Sequence, residues 1–269
     1  MKVLLRAPEG FADAGAVQVS YLQSENTSVR PLAMILFGSP GSGKGTQAKL
    51  LRKCVRGPHI STGDMLRAHI DADDSIGRDA RGLLRAGKLV SDEVVNGLVE
   101  KRLQEPDTRD GIILDGYPRT LNQAAVLHDL TDLCGFRPAV VHLVVDYDRI
   151  VARLSGRRQC PVCGTLYSSR TNPPRVAGVC DLDGAPLVIR EDDRESVIRE
   201  RLQQYESQTR PILNYFREAG VPTFEIDGAA AQPEQIAERI CGTLASAGLV
   251  SNTASSEVGA TTPKASVGS

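Results

Sequence analysis

The chain of 269 residues has no tryptophan, three methionines, 4% aromatic residues and a net charge of −1. Each shortage excludes a class of protein. Binding single-stranded nucleic acid takes stacked rings on a basic face, and neither is present in bulk. No apolar run approaches the roughly 18 residues that cross a bilayer, and residues 1–30 lack the long apolar stretch of a secretory signal. Nucleic acid and membrane therefore drop out as partners, and the sequence reads as a cytoplasmic protein. Lysine is scarce too, at 7 against 25 arginines. A guanidinium meets phosphate with a planar fork of donors, so several arginines are candidate ligands rather than surface charge.

With 41% hydrophobic residues the chain can build its own core. Six cysteines in a chain this long do not make a secreted disulfide framework. Cys160, Cys163 and Cys180 cluster, whereas Cys54, Cys134 and Cys241 lie far apart and read as buried thiols.

Residues 1–31 show no sustained periodicity and are expected to be a disordered extension. Residues 249–269, rich in Ser, Thr, Ala and Gly without an aromatic, are expected to be a disordered tail. Between them, apolar runs at Met34 to Phe37, Ile112 to Leu114 and Val140 to Val145, with weaker ones near Ile60 and from Thr223 to Ile226, alternate with helical pattern. That alternation predicts a buried parallel sheet of about five strands flanked by helices, an α/β fold. A helix is expected from Asp92, capped by Ser91. Residues 156–193 break the rhythm with cysteines, glycines and a Pro173-Pro174 pair, and read as a small inserted domain that needs a staple.

The strand MILF runs into Gly38-Ser-Pro-Gly41-Ser42-Gly43-Lys44-Gly45-Thr46, followed by helical pattern from Gln47. Glycines let consecutive N–H groups face a phosphate, the helix start adds positive potential, and Lys44 adds a mobile cation. One departure from the common GxxxxGK[ST] form is that Thr46 comes one place later, after Gly45. Asp115 closes the strand GIILD and is placed to hold magnesium through water; Asp146 imitates it at the end of another strand but fits a helix cap better. In the insertion, Cys160 and Cys163 are followed after sixteen residues by Cys180 and Asp183, the spacing of a closed tetrahedral zinc knuckle with Asp183 in the usual fourth cysteine position. No Ser-His-Asp set, paired carboxylates or activated cysteine emerges, and the four histidines fall outside every motif.

Four segments, ending GKGT at 43–46 and spanning Ile60-Ser-Thr-Gly-Asp-Met-Leu-Arg67, Gly87-Lys-Leu-Val90 and Asp115-Gly-Tyr-Pro-Arg-Thr-Leu-Asn-Gln123, together resemble the bacterial adenylate kinases with a zinc-bearing lid, over about residues 32–248. The resemblance implies a monomeric P-loop kinase that turns ATP and AMP into two ADP with magnesium, a helical AMP-binding arm at 61–90 and a zinc-stapled lid at 156–193. It implies that Gly41, Ser42, Gly43, Lys44, Gly45 and Thr46 hold ATP. Thr62, Arg67, Lys88, Leu89, Val90, Gly116, Tyr117, Pro118, Arg119 and Gln123 would line the AMP site, with Gln123 on adenine. Arg157 would bind ATP, Arg190 and Arg201 AMP, and Arg119 and Arg153 would surround the transferred group beside Lys44. Leu166 and Tyr167 would cover the ATP base, the turn ending at Ala230 would approach adenine by its backbone, and Asp192 and Asp193 would fix the lid's arginines. Two rivals are weighed: a kinase for another nucleoside monophosphate, against which Thr62 and Gln123 argue, and a zinc-ribbon P-loop protein that binds nucleic acid, which would need the basic face and exposed aromatics that a net charge of −1 and 4% aromatic residues do not supply.

Overall fold

The computed structural model describes residues 30–251 except 170, 171 and 230. Its centre is a five-stranded parallel sheet in the order β2-β3-β1-β4-β7: β1 Leu32–Phe37, β2 His59–Ser61, β3 Gly111–Asp115, β4 Arg137–Val144 and β7 Thr223–Asp227. Every residue of β1 is buried because it is covered on both faces, which is why it reads as a continuous apolar run rather than an alternation. It starts at Leu32, two residues before the run at Met34, with Leu32 and Ala33 pairing both β3 and β4.

Helices α1 Lys44–Leu51 and α9 Pro233–Ser246 cover one face, where Leu51, Ile236, Ile240 and Leu244 pack on Met34, Leu36 and Val141. The other face carries α4 Asp92–Leu103, α5 Leu121–Leu133 and α8 Ile212–Glu218 over Ile35, Phe37, Leu114 and Val140. Two helices, α2 Thr62–Asp71 and α3 Ser75–Arg85, form an arm beyond the carboxyl edge. Helices α6 Tyr147–Ser155 and α7 Glu195–Gln204 flank the inserted segment. Inside it, β5 Arg157–Gln159 pairs antiparallel with β6 Leu166–Ser168, and the buried cluster consists of Cys160, Tyr167 and Cys180 with Ala185 and Leu187 against them. So small a core explains the need for a staple.

Three expectations change. Cys54, just past α1, and Cys241 in α9 are joined in a disulfide with their Cα atoms 6.0 Å apart; 187 residues of sequence separation concealed their proximity. Ser91 makes no side-chain capping bond to α4, and Asp92 turns instead to the start of α5. The packed region also runs past residue 248: Leu249 is 7% exposed, and Arg137 donates to the carbonyls of Gly248 and Leu249 at 3.1 Å. At the other end Arg30 and Pro31, expected within the disordered extension, are tied down as well, Arg30 Nε donating to the Gly135 carbonyl at 3.1 Å and the Pro31 carbonyl accepting from Arg137 N at 2.8 Å; the rest of the expected disorder, in residues 1–29 and 252–269, lies outside the described residues.

Candidate active site

The P-loop runs from the end of β1 into α1. Gly43, with φ of 101°, stands at the helix start, and the first turn contains no acidic residue to offset the positive potential of its N–H groups. Lys44 folds back over the loop, its Nζ donating to the carbonyls of Gly38 at 2.8 Å and Ser39 at 3.0 Å. Burial brings its ammonium down to about 8, against the pull of Asp115. A Cβ on Gly45 would stand 3.3 Å from Asp115 Oδ2, so the glycine lets the first turn of α1 approach that carboxylate closely.

Asp115 ends β3 beside β1. His59 Nε2 lies 3.3 Å from its Oδ2. Burial works to raise the Asp115 carboxyl, but His59, Lys44 and Arg119 outweigh it and hold it below the usual range. Asp146, its imitator, occupies the N-cap of α6, although without a side-chain bond.

The loop after β3 is tied down atom by atom. Thr62 Oγ1 donates to the Gly116 carbonyl at 2.8 Å, Arg119 Nε to the same oxygen at 2.7 Å, and Arg119 N to Gln123 Oε1 at 2.7 Å. Gln123 Nε2 donates to Asp92 Oδ1 at 2.7 Å, and Tyr117 to Asn96. On the arm, Ser61 caps α2, leaving the Thr62 side chain to the loop, and Arg67 pairs with Asp64. The segment at 87–90 turns at Gly87, whose φ of 73° and close approach to Val197 and Arg201 leave no room for a side chain. Val90 is buried next to it.

Arginines converge on this edge from three directions. Arg157, entering the insertion, grips the buried Asp193 at its exit. Arg201 on α7 reaches Asp192 at 3.0 Å and Asp193 at 3.1 Å. Arg190 bonds Gln159 and lies 3.8 Å from Asp64. Burial, then repulsion from Arg201, lowers the Arg119 guanidinium to about 10, and burial, then Arg67 and Arg157, does the same to Arg190. Arg201 is lowered by burial and Lys44 also feels Arg119, Arg201 and Arg157, so one site holds them all.

Two placements depart from expectation. Arg153 is away from that set, donating to the carbonyls of Ser42 at 3.2 Å and Gly228 at 2.9 Å, because α6 packs against the P-loop, its Ile150 and Leu154 side chains lying close against Gly41. Tyr167 is 4% exposed, and its hydroxyl bonds Cys180 Sγ at 3.4 Å and accepts from Asp181 N at 2.7 Å; its side chain therefore belongs to the cysteine knuckle rather than to a surface over a base. Leu166 is beside it in β6, and Ala230 lies outside the described residues. Sequence reasoning missed His59, although it directly precedes the Ile60 motif, and Thr209, whose Oγ1 donates to the Arg119 carbonyl at 3.0 Å and which no motif marks.

In the knuckle, one ligand atom from each of Cys160, Cys163, Cys180 and Asp183 lies within 4.8 Å of the others. Cys163 and Cys180 sulfurs are 3.6 Å apart, and Cys160 Sγ is 3.2 and 3.3 Å from the Asp183 oxygens. A zinc tetrahedron has sulfur–sulfur edges of about 3.8 Å and sulfur–oxygen edges of about 3.5 Å, so the four residues fit the ion. Burial pushes the Cys160 thiol up to about 11, which makes a cation the natural means of keeping it a thiolate near neutrality.

So much buried positive charge at the carboxyl edge of a parallel sheet, beside a phosphate-binding loop, is suited to bringing two polyanions together. Fold and site define a P-loop phosphotransferase. Residues 36–221 match the family model described as adenylate kinase. The chain is 46% identical over 206 residues to an adenylate kinase of Moorella thermoacetica, covering 76% of this chain and 94% of that one. It is 45% identical over 206 residues to one of Anaeromyxobacter dehalogenans, at 76% and 95%, and 45% identical over 213 residues to one of Methanococcoides burtonii, at 78% and 97%. The chain belongs to the adenylate kinase family. Among the described residues, no helix is long and apolar enough to cross a membrane.

Proposed function

We propose that ATP lies along the P-loop, that AMP lies against the arm of α2 and α3, and that the terminal phosphoryl group passes directly between them where Lys44, Arg119 and Arg201 converge. The reaction is the interconversion of ATP and AMP with two ADP, and it keeps the adenine nucleotides in balance. The observation that carries the reading is a set of cations buried together at the sheet edge: burial first, and repulsion among them after it, bring Lys44 to about 8 and Arg119 and Arg190 to about 10. Such repulsion is costly in the unliganded protein and is relieved by phosphates.

The attacking AMP phosphate oxygen is already ionised near neutrality, so the site needs no general base; positioning and charge supply the catalysis. Gly41 to Thr46 cradle the ATP phosphates, with Arg157 joining them as the inserted segment closes as a lid and excludes water. Arg67, Arg190 and Arg201 take the AMP phosphate. Thr62, the backbone of 87–90 and the second amide proton of Gln123 face the nucleoside. Arg153 serves the base end of ATP, with the backbone near Gly228, instead of the transferred group. Magnesium would supply neutralising charge to the ATP phosphates when bound, and Asp115 is the residue that would hold it. Zinc on Cys160, Cys163, Cys180 and Asp183 supplies a structural cross-link when bound, with no open position for substrate. The enzyme works as a cytoplasmic monomer.

The test is ADP formation with AMP, CMP, UMP and GMP as acceptors at equal concentration. AMP should exceed the others by at least an order of magnitude in kcat/KM. A preference for CMP, UMP or GMP would assign the acceptor site to another nucleotide, and ATP consumption independent of any acceptor would remove the phosphotransferase reading.

A further inference from the structure

Helix α7, which carries Arg201, does not run straight into α8. Between them Tyr205–Thr209 forms a wide π turn in which Arg210 N bonds the Tyr205 carbonyl, five residues back, at 2.8 Å. Such a turn inserts one residue and rotates the downstream helix by roughly 100° about its axis. Its near end is anchored by Tyr205, a buried ring whose hydroxyl lies 3.1 Å from His142 Nε2 on β4. Its far end is Thr209.

A hydroxyl within a helix ordinarily bonds a carbonyl one turn back. Ser207 and Thr243 do so, donating to Gln203 and Arg239 at 2.8 Å. Thr209 instead reaches out of its helix to the Arg119 carbonyl at 3.0 Å. The Arg119 amide is held from the other side by Gln123 Oε1. Both backbone polar groups of this arginine are therefore fixed, one by the first turn of α5 and one by the wide turn that continues α7, the helix of Arg201.

We propose that Thr209, presented by the wide turn, is a positioning residue for phosphoryl transfer: it holds the Arg119 backbone in register with Arg201 and touches neither nucleotide. This rests on the reading of Arg119 as a group at the reacting phosphates. A hydrogen bond of this kind contributes a factor of about three to ten to a rate when its loss loosens a group needed in the transition state.

The test uses the full chain with Thr209→Val, Thr209→Ser, Arg119→Lys and the Thr209→Val, Arg119→Lys pair, measuring kcat, both KM values and melting temperature. Thr209→Val should lower kcat about fivefold, with KM for ATP and AMP within a factor of two and melting within about two degrees. Thr209→Ser should restore at least half of the lost turnover. The double variant should be no slower than Arg119→Lys alone, because Thr209 acts through Arg119. Full turnover in Thr209→Val, a loss that appears in KM or tracks melting, failure of serine to rescue, or additive losses in the double variant would each overturn the proposal. If the valine variant does not fold, Thr209→Ala takes its place with the same expected outcomes. Full turnover in Arg119→Lys would instead overturn the reading of Arg119 itself.

Discussion

Arg157 holds Asp193 through two guanidinium nitrogens, Nε at 2.6 Å, although 36 positions separate them. The Asp193 side chain has no exposed surface. The inserted segment thus leaves and rejoins the core on one carboxylate, which Arg201 shares. Buried charges of this kind persist only where they are paired and hydrogen-bonded, and the pairing keeps two arginines at the carboxyl edge of the sheet.

The disulfide between Cys54 and Cys241 ties α1 to α9 far from the arginines. Closing a loop of 187 residues removes up to about 5 kcal/mol of unfolded-state entropy. A phosphine reductant, which spares zinc thiolates, should lower the melting temperature by several degrees and leave turnover unchanged. Thiol titration of the oxidised, unfolded and metal-free chain should find four thiols. Six thiols, and melting indifferent to the reductant, would contradict the pairing.

A chain cut to residues 30–251 should keep its turnover and melting temperature, because the residues proposed for catalysis and binding lie inside it. Starting at Met34 is different. It removes Leu32 and Ala33, 5% and 0% exposed, from the middle strand, at a cost of about 2–4 kcal/mol in burial alone. Melting should fall by several degrees. Equal melting of the two chains would contradict the role given to the start of β1.

Much of this is legible in the sequence and some is not, for identifiable reasons. The P-loop, Asp115 and the knuckle cysteines depend on short spacings, which a chain carries locally. Arg153 departs from its expected place because the sequence pattern marks its helix, whereas the direction of that helix past Ser42 and Gly228 depends on packing. The resemblance puts Tyr167 over the ATP base, yet a core as small as the knuckle's recruits its ring. Contacts such as Cys54–Cys241 and Thr209–Arg119 join residues far apart in sequence, and no local pattern encodes them.

Protein purified without added metal should contain close to one zinc per chain. Chelation should lower the melting temperature first, and turnover should fall only as the segment at 156–193 loosens. Retained stability with complete loss of turnover at low temperature, magnesium being restored, would place the ion at the reacting phosphates instead.

Lys44 gives a pH signature. Its folded value of about 8 lies below the usual 10.5, so burying the charged form costs stability in full below pH 8. That cost is relieved as pH rises towards 10.5, and the Lys44 contribution to stability therefore increases across that window. Phosphates favour the charged form, so ATP binding at pH 9 should take up a proton, read from the dependence of binding heat on buffer ionisation enthalpy. Undiminished uptake in Lys44→Met would contradict the assignment.

If buried guanidinium forks at the sheet edge stabilise the group in transfer, Arg119→Lys should separate the effect of the fork from that of its charge. An ammonium keeps the charge but cannot bridge two phosphates. Turnover with ATP and AMP should fall by two orders of magnitude or more, with melting within about two degrees of the parent chain. Near-normal turnover in a folded Arg119→Lys protein would contradict the account, because the cation at the centre of the cluster would then be dispensable.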